Sequence, residues 1–430
     1  MTAADLREQL VASAFETGRP PGILAGTFRA GQVDWRCSRG ETGTAYRIAS
    51  ITKTFTAVAV LQLRDEGRLG LDDRIGQYVP DAPYAEHSIG RLLSHSSGMT
   101  AEPAGPWWER VPGGSWTELA AANAARANVF AAGQRYHYSN LGFALLGEMV
   151  ARLRGDSWWD VVHSRLLMPL GLTGTTFDAP VGAAVGSSRD PLSDRLVREP
   201  SEDEGAMAPA GQLWSTVDDL ARWADVLVAG QPGVLAPETA VEMRTIRSGS
   251  PERQHRGGYG LGLRLHWAPT STIVGHTGGL PGFQAGMFVD ATTRVGAVVL
   301  TNATSGLDPE QLCVALIDAA AADVEVPGPL ADPSSPAAEL SGAWYWGNTP
   351  MTLVATADGL CLVEDGDVAR FRREGPDRYR GLDNYYAGEL LSVNRDADGT
   401  PRYLEVVTFI LTRSPYDPLA PIPGKPPEPF

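Results

Sequence analysis

The sequence predicts an α+β fold, helices packed on an antiparallel sheet with a helical insertion, followed by a small all-β domain. Three observations carry this reading. Apolar side chains recur at helical spacing over residues 50–66 and 141–154. After Tyr259 the period shortens to strand-like runs separated by Gly, Pro and Asp-rich turns. A Pro-rich stretch over residues 326–339 then separates those runs from a second series of short, turn-spaced ones. At 430 residues the chain is long enough for roughly three domains, or one large and one small.

In chain order, Leu6 to Phe15 reads as an opening helix. Residues 50–66 place Phe55, Val58 and Leu61 on one stripe and stop at Gly67, which suits a helix ended by glycine and sets Ser50 at its start. Leu141 to Arg154 repeats the pattern with Leu145, Met149 and Leu153 before Gly155. Ser215 and Asp218 are expected to cap the helix through Leu220, Trp223 and Leu227. Strands are expected at Leu261–Trp267, Thr270–His276, Phe283–Asp290 and Val295–Thr301, an antiparallel meander closed by a helix over Gln311–Val324. The expected domains are 1–325, a linker over 326–339, an all-β domain over 340–418 and a Pro-rich tail over 419–430. Within the all-β domain, turns are expected at Ala357-Asp358-Gly359, Asp365-Gly366 and Asp396-Ala397-Asp398-Gly399. Trp344, Tyr345, Trp346, Tyr385 and Tyr386 are read as core or interface aromatics.

Composition narrows function by exclusion. With 43% hydrophobic and 20% charged residues the chain falls in the globular range, not the disordered or fibrous one. Fifty-one acidic against thirty-six basic residues leave a net charge of −15, which repels phosphate backbones and anionic lipid, so neither nucleic acid nor membrane is an expected partner. The longest clean apolar stretch, around Phe55 to Leu63, is far short of the ~18 residues a membrane span needs. Residues 1–8 lack the basic start and apolar run of an export signal, so the expectation is a soluble, cytoplasmic protein. Cys37, Cys313 and Cys361 are scattered without metal-ligand spacing and read as buried thiols. The His-Glu-x-x-His, Gly-x-Ser-x-Gly and phosphate-loop signatures are absent.

Lysine usage points to chemistry. The chain has two lysines, Lys53 and Lys425, and Lys425 lies in the Pro-rich tail. A sequence that uses arginine elsewhere keeps an amine at 53, and a desolvated amine can lose its proton where a guanidinium cannot. Ser50-Ile51-Thr52-Lys53 sets a hydroxyl and that amine three residues apart, on one helical face. Serine needs a nearby base to act as a nucleophile, and the helix start offers free backbone N–H groups to a developing oxyanion. Tyr138-Ser139-Asn140 adds a phenol, which as phenolate could take the serine proton, and an amide that can bond a side chain and a substrate carbonyl. His276-Thr277-Gly278-Gly279 follows a strand pattern, and its glycines allow a substrate close to the backbone.

In this order and at these separations the three motifs resemble the serine hydrolases of the class C β-lactamase and penicillin-binding-protein superfamily. The resemblance covers most of residues 10–320 and extends to Tyr46–Ala57, Leu92-Leu93-Ser94-His95-Ser96-Ser97-Gly98, Tyr136–Asn140, Pro209–Thr216 and Gly275–Gly279. The C-terminal β segment is similar to the lipocalin-like accessory domain some of these hydrolases carry. The resemblance implies Ser50 as the acylated nucleophile, Lys53 and Tyr138 as its base, and Asn140 positioning the lysine and the substrate amide. It also implies an oxyanion hole from the backbone N–H groups of Ser50 and Gly279. It implies no metal and no cofactor, and a small-molecule or peptide substrate; oligomeric state stays open.

At His276 the sequence departs from the β-lactamase pattern, which has lysine there. A neutral imidazole holds a carboxylate less strongly, which favours esters, amides or D-amino-acid peptides over β-lactams and free-carboxylate peptides. The expected activity is hydrolysis through an acyl-Ser50 intermediate. The alternatives are a penicillin-binding-protein-like thioesterase or acyltransferase acting on a peptide, and a non-catalytic sensor that keeps the fold. His95 reads as a structural helix end, and His137 as a loop histidine or a neighbour of the site. Trp107-Trp108 and Trp158-Trp159 read equally as helix packing or pocket wall.

Overall fold

The computed structural model describes residues 3–249, 257–268, 271–321, 332–364 and 367–415. The chain divides into two compact units, 1–324 and 325–430. Residues 326–331 of the expected linker, the expected Asp365-Gly366 turn, Thr270 and the tail over 419–430 lie outside the described residues.

The first unit is built on a seven-stranded antiparallel sheet. Its strands are β1 (Gly22–Arg29), β2 (Gln32–Gly40), β3 (Gly257–Tyr259), β4 (Arg264–Ala268), β5 (Ser271–Leu280), β6 (Phe283–Asp290) and β7 (Val295–Thr301). They lie in the order β2-β1-β7-β6-β5-β4-β3. The hairpin β1–β2 is an element that apolar periodicity did not show. Its turn runs through Ala30 and Gly31, both at positive φ (47° and 76°), and an alanine there gives no turn signal.

β7 is buried along its whole length because helices cover both faces of the sheet. Val295, Ala297 and Val299 join Val11 of α1 (Ala3–Gly18) and Leu316 and Ile317 of the C-terminal helix of this unit (Pro309–Ala321) in one apolar cluster. Val298 and Leu300 alternate to the other face. There they join a larger cluster with α2 (Thr52–Asp65), α3 (Asn140–Arg154) and α4 (Val217–Ala229). Phe55 of α2 stacks on Trp223 of α4 at 4.0 Å between ring centroids, and the indole N–H donates to Thr54 Oγ1 at 2.7 Å.

Two expectations need correction. Thr216, not Ser215 or Asp218, caps α4, accepting from the Asp219 amide at 3.2 Å. Ser215 instead pairs as a strand with Tyr46 and shares a hydrogen bond with Thr175, while Asp218 is ion-paired with Arg36. Leu261–Leu263 is a turn, not the start of a strand, because Gly262 has φ +75° and the Gly260 amide closes onto the Leu263 carbonyl.

The second unit is a closed barrel of eight antiparallel strands in sequence order, the lipocalin-like architecture. Its first strand (Gly342–Trp346) pairs with its last (Phe409–Thr412) to close the ring. Trp344, Leu353, Phe371, Tyr379, Leu391 and Leu404 fill its interior, and Ala337, within the stretch read as linker, is buried among them. Trp346 and Tyr385 are exposed and pack on Phe409 instead. Among the described residues no helix is long and apolar enough to cross a membrane.

Candidate active site

Ser50 sits in a single 3-10 turn (Ala49–Ile51) that leads directly into α2, the Thr52 amide closing back onto the Ala49 carbonyl. Ala49 turns the chain into that helix at φ +49°, a left-handed conformation that costs a non-glycine residue about 1–2 kcal/mol. β5 presses against this turn from the other side. A Cβ on Gly278 would lie 2.1 Å from the Ile48 carbonyl oxygen, so only glycine lets the strand approach. One residue on, Gly279 is exposed with open space above it.

Four of the expected residues meet here. Lys53 is fully buried, and its Nζ lies 3.0 Å from Ser50 Oγ, 2.6 Å from Asn140 Oδ1 and 2.8 Å from the Ala210 carbonyl oxygen. Tyr138 hydrogen-bonds Ser50 through its side chain, and the Lys53 amine lies 4.9 Å from its ring centre. Asn140 cannot be flipped: its Nδ2 donates to Glu102 Oε1 at 2.6 Å, and a carboxylate only accepts.

The partners of Lys53 decide its chemistry. Asn140 Oδ1 and the Ala210 carbonyl can only accept, so a neutral amine gives them its two hydrogens and aims its lone pair at Ser50 Oγ. Burial lowers the Lys53 pKa to about 7, against the opposing pull of Glu102, Glu204 and Glu109. Tyr138 goes the other way, its pKa pushed well up by burial despite the Ser50 hydrogen bond and Arg264. Lys53, rather than a Tyr138 phenolate, is thus the group of this pair that changes protonation near neutrality.

His276 lies beside these groups, buried, its ring 6.3 Å from that of Tyr138. Nδ1 is 2.5 Å from the Thr277 carbonyl oxygen, so Nδ1 carries the proton, and Nε2 accepts from the Tyr259 hydroxyl at 2.9 Å. Both ring nitrogens are therefore engaged within the protein. Burial and the nearby Arg264 and Lys53 hold its pKa well below the usual histidine value.

Several contributors escaped sequence reasoning. Glu102 fixes Asn140 and accepts from the Trp108 indole N–H at 2.9 Å. The Ala210 carbonyl holds Lys53, Tyr259 holds His276, and Glu204, paired with the buried Arg47 at 2.8 Å, is one of the carboxyls that oppose the lowering of the Lys53 pKa. Pro209–Thr216 stood out as a motif stretch, but nothing in the sequence marks Glu102, whose role depends on where the loop returns. Of the paired tryptophans, Trp108 belongs to the Glu102 network and Trp158 packs inside with a hydrogen bond to Thr56; Trp107 is exposed. His137 packs its ring edge-on against Phe130.

A sheet between two helical layers defines a class when a Ser-x-x-Lys turn, a Tyr-x-Asn loop and a His-Thr-Gly-Gly strand converge at one point. It is the β-lactamase and penicillin-binding-protein-like superfamily of serine hydrolases. The chain belongs to the Beta-lactamase family, whose sequence model matches residues 7–322. Residues 333–413 match a domain of unknown function (DUF7586). Beta-lactamase-like protein 2 of Dictyostelium discoideum is 31% identical over 216 residues, 46% of this chain and 38% of that protein, so the match spans well under half of that relative. Penicillin-binding protein 4* of Bacillus subtilis is 24% identical over 379 residues, 81% of this chain and 78% of the relative. A D-stereospecific amidohydrolase from Streptomyces sp. superposes with a TM-score of 0.62 at 27% identity, over 72% of this chain and 96% of that one. A penicillin-binding protein homologue from Pyrococcus abyssi, an octamer, shares the fold over 96% of this chain and 100% of its own, with a TM-score of 0.65 and 22% identity.

Proposed function

We propose that this protein is a serine hydrolase that cleaves an ester or amide through an acyl-Ser50 intermediate. The observation that carries the reading is the Lys53 amine, buried, with a pKa lowered to about 7 and placed 3.0 Å from Ser50 Oγ. Neutral Lys53 takes the Ser50 hydroxyl proton as Oγ bonds to the substrate carbonyl carbon and the carbonyl electron pair moves onto oxygen. The amides of Ser50 and Gly279 receive that oxyanion. Collapse breaks the bond to the leaving group, which takes a proton from the Tyr138 hydroxyl as the Lys53 ammonium gives its own proton back to the phenol. Water then repeats the sequence on the ester, with Lys53 as base, and restores Ser50. The 27% identical D-stereospecific amidohydrolase supports amides among the substrates. The closed hydrogen-bond set of His276 supports substrates that need no cation at that strand.

Hydrolysis of a short-chain p-nitrophenyl ester by the wild type and Ser50→Ala, with intact-mass detection of the adduct, tests this. Turnover and an adduct in the wild type alone are expected. Full activity in Ser50→Ala would remove Ser50 from the mechanism.

A further inference from the structure

Among the described residues, His95 is a buried histidine beside the site to which the mechanism gives no task, and its surroundings are unusual. It is 1% exposed and adopts φ +53°, a left-handed conformation that histidine tolerates better than most side chains but still unfavourable. Its Nδ1 accepts the Ser139 amide at 3.1 Å, and its own carbonyl accepts the His137 amide at 2.7 Å. The two backbone amides flanking Tyr138 are therefore both held by one residue.

The imidazole is also packed against the phenol itself. Its centroid lies 4.2 Å from the Tyr138 ring, 4.7 Å from Tyr259, 5.2 Å from Phe143 and 5.9 Å from Tyr136. Because Nδ1 accepts, Nε2 carries the hydrogen, and among the described residues that N–H has no hydrogen-bond partner. It is enclosed by aromatic rings, where an N–H contributes only weak contacts to π faces. A buried polar atom left without a partner costs free energy, so packing alone would favour an apolar residue here. What only an imidazole-like side chain supplies is an acceptor at Nδ1.

We infer that His95 is the positioning residue for Tyr138, fixing the Tyr138–Ser139 peptide through its Nδ1 acceptor so that the phenol hydroxyl meets Ser50. This rests on the proposed role of Tyr138 in an acyl-Ser50 mechanism. His95 touches neither Ser50 nor substrate and acts through Tyr138 alone.

Asn and Gln separate the acceptor from the ring. Asn carries its carbonyl oxygen near the position of Nδ1 and tolerates positive φ; Gln carries it near Nε2, out of reach of Ser139. With the p-nitrophenyl ester as substrate, His95→Asn is expected to stay within about threefold of the wild-type kcat, while His95→Gln loses about 10- to 100-fold with KM little changed. In a Tyr138→Phe background, His95→Gln should cost less than about threefold more, because its route to the chemistry is already gone. Melting curves for each variant identify any that fail to fold. If His95→Gln does not fold, His95→Asn decides alone: a folded variant near wild-type rate supports the inference, and a folded but impaired one overturns it. Multiplicative losses in the double variant would also overturn it. Full activity in Ser50→Ala, by contrast, would defeat the acyl-enzyme reading, a distinguishable outcome.

Discussion

A lysine among arginines is legible as chemistry only because its surroundings are restrictive. Lys53 has two partners that cannot donate and one that can do either, so its protonation state and the reactivity of Ser50 are a single variable. In the proposed mechanism the neutral amine is the competent form, and it predominates above its pKa of about 7. kcat/KM should therefore rise with pH through about 7 and fall away on the acid side. Glu102 opposes that lowering by stabilising the ammonium. Glu102→Gln is accordingly expected to move the acid limb of the pH profile to lower pH, and a shift the other way would contradict the assignment of that limb to Lys53. Lys53→Arg, charged at every working pH, should lose about 10²- to 10⁴-fold and the limb with it. The residue types of the site were readable from Ser50, Lys53, Tyr138 and Asn140. Glu102 and Tyr259 were not, because each contributes one hydrogen bond from a distant segment and carries no periodicity or spacing of its own.

Among the elements, β5 has the tightest requirement, since it must lie against the Ser50 turn and still leave room for a substrate. Gly278 and Gly279 divide these two tasks. Gly278→Ala puts a methyl 2.1 Å from the Ile48 carbonyl, so the strand or the turn must move. A stability loss of about 1–3 kcal/mol and a large loss of activity are expected, measured by chemical denaturation and ester turnover. Gly279→Ala meets nothing within 4 Å and should keep the wild-type melting temperature. Equal effects from the two substitutions would show that the strand does not bear on the turn. Long helices with a glycine stop and the central strands Phe283–Asp290 and Val295–Thr301 were plain in the sequence, because burial there enforces a period. The hairpin of Gly22–Gly40 was hidden because its first strand is buried almost throughout and its turn uses alanine at positive φ.

On the scale of the whole molecule, the two units have separate apolar clusters. Barrel side chains such as Trp344 and Leu404 fall in one, and the sheet and its helices in two others. Among the described residues each unit has an apolar core of its own, so calorimetry of the full chain should resolve two transitions. Trp344→Ala, which empties the barrel centre at a cost of about 3–5 kcal/mol, should lower one of them and leave the other, together with ester turnover, in place. A single transition that shifts as a whole would mean the units unfold together. The three cysteines are free and buried, with thiols pushed above their ordinary pKa by burial, so redox conditions should leave the calorimetric trace unchanged.

The scarcity of lysine also makes the protein a selective target for labelling. Acylating reagents aimed at side-chain amines have two addresses in 430 residues, one sealed beside Ser50 and the other at Lys425. A bulky amine-reactive dye or resin would be kept from Lys53 by its burial, leaving that amine unmodified. A small electrophile delivered on a substrate-like scaffold would find at Lys53 an amine that is largely unprotonated just above neutral pH. The same residue that drives the proposed chemistry would then serve as its own covalent reporter.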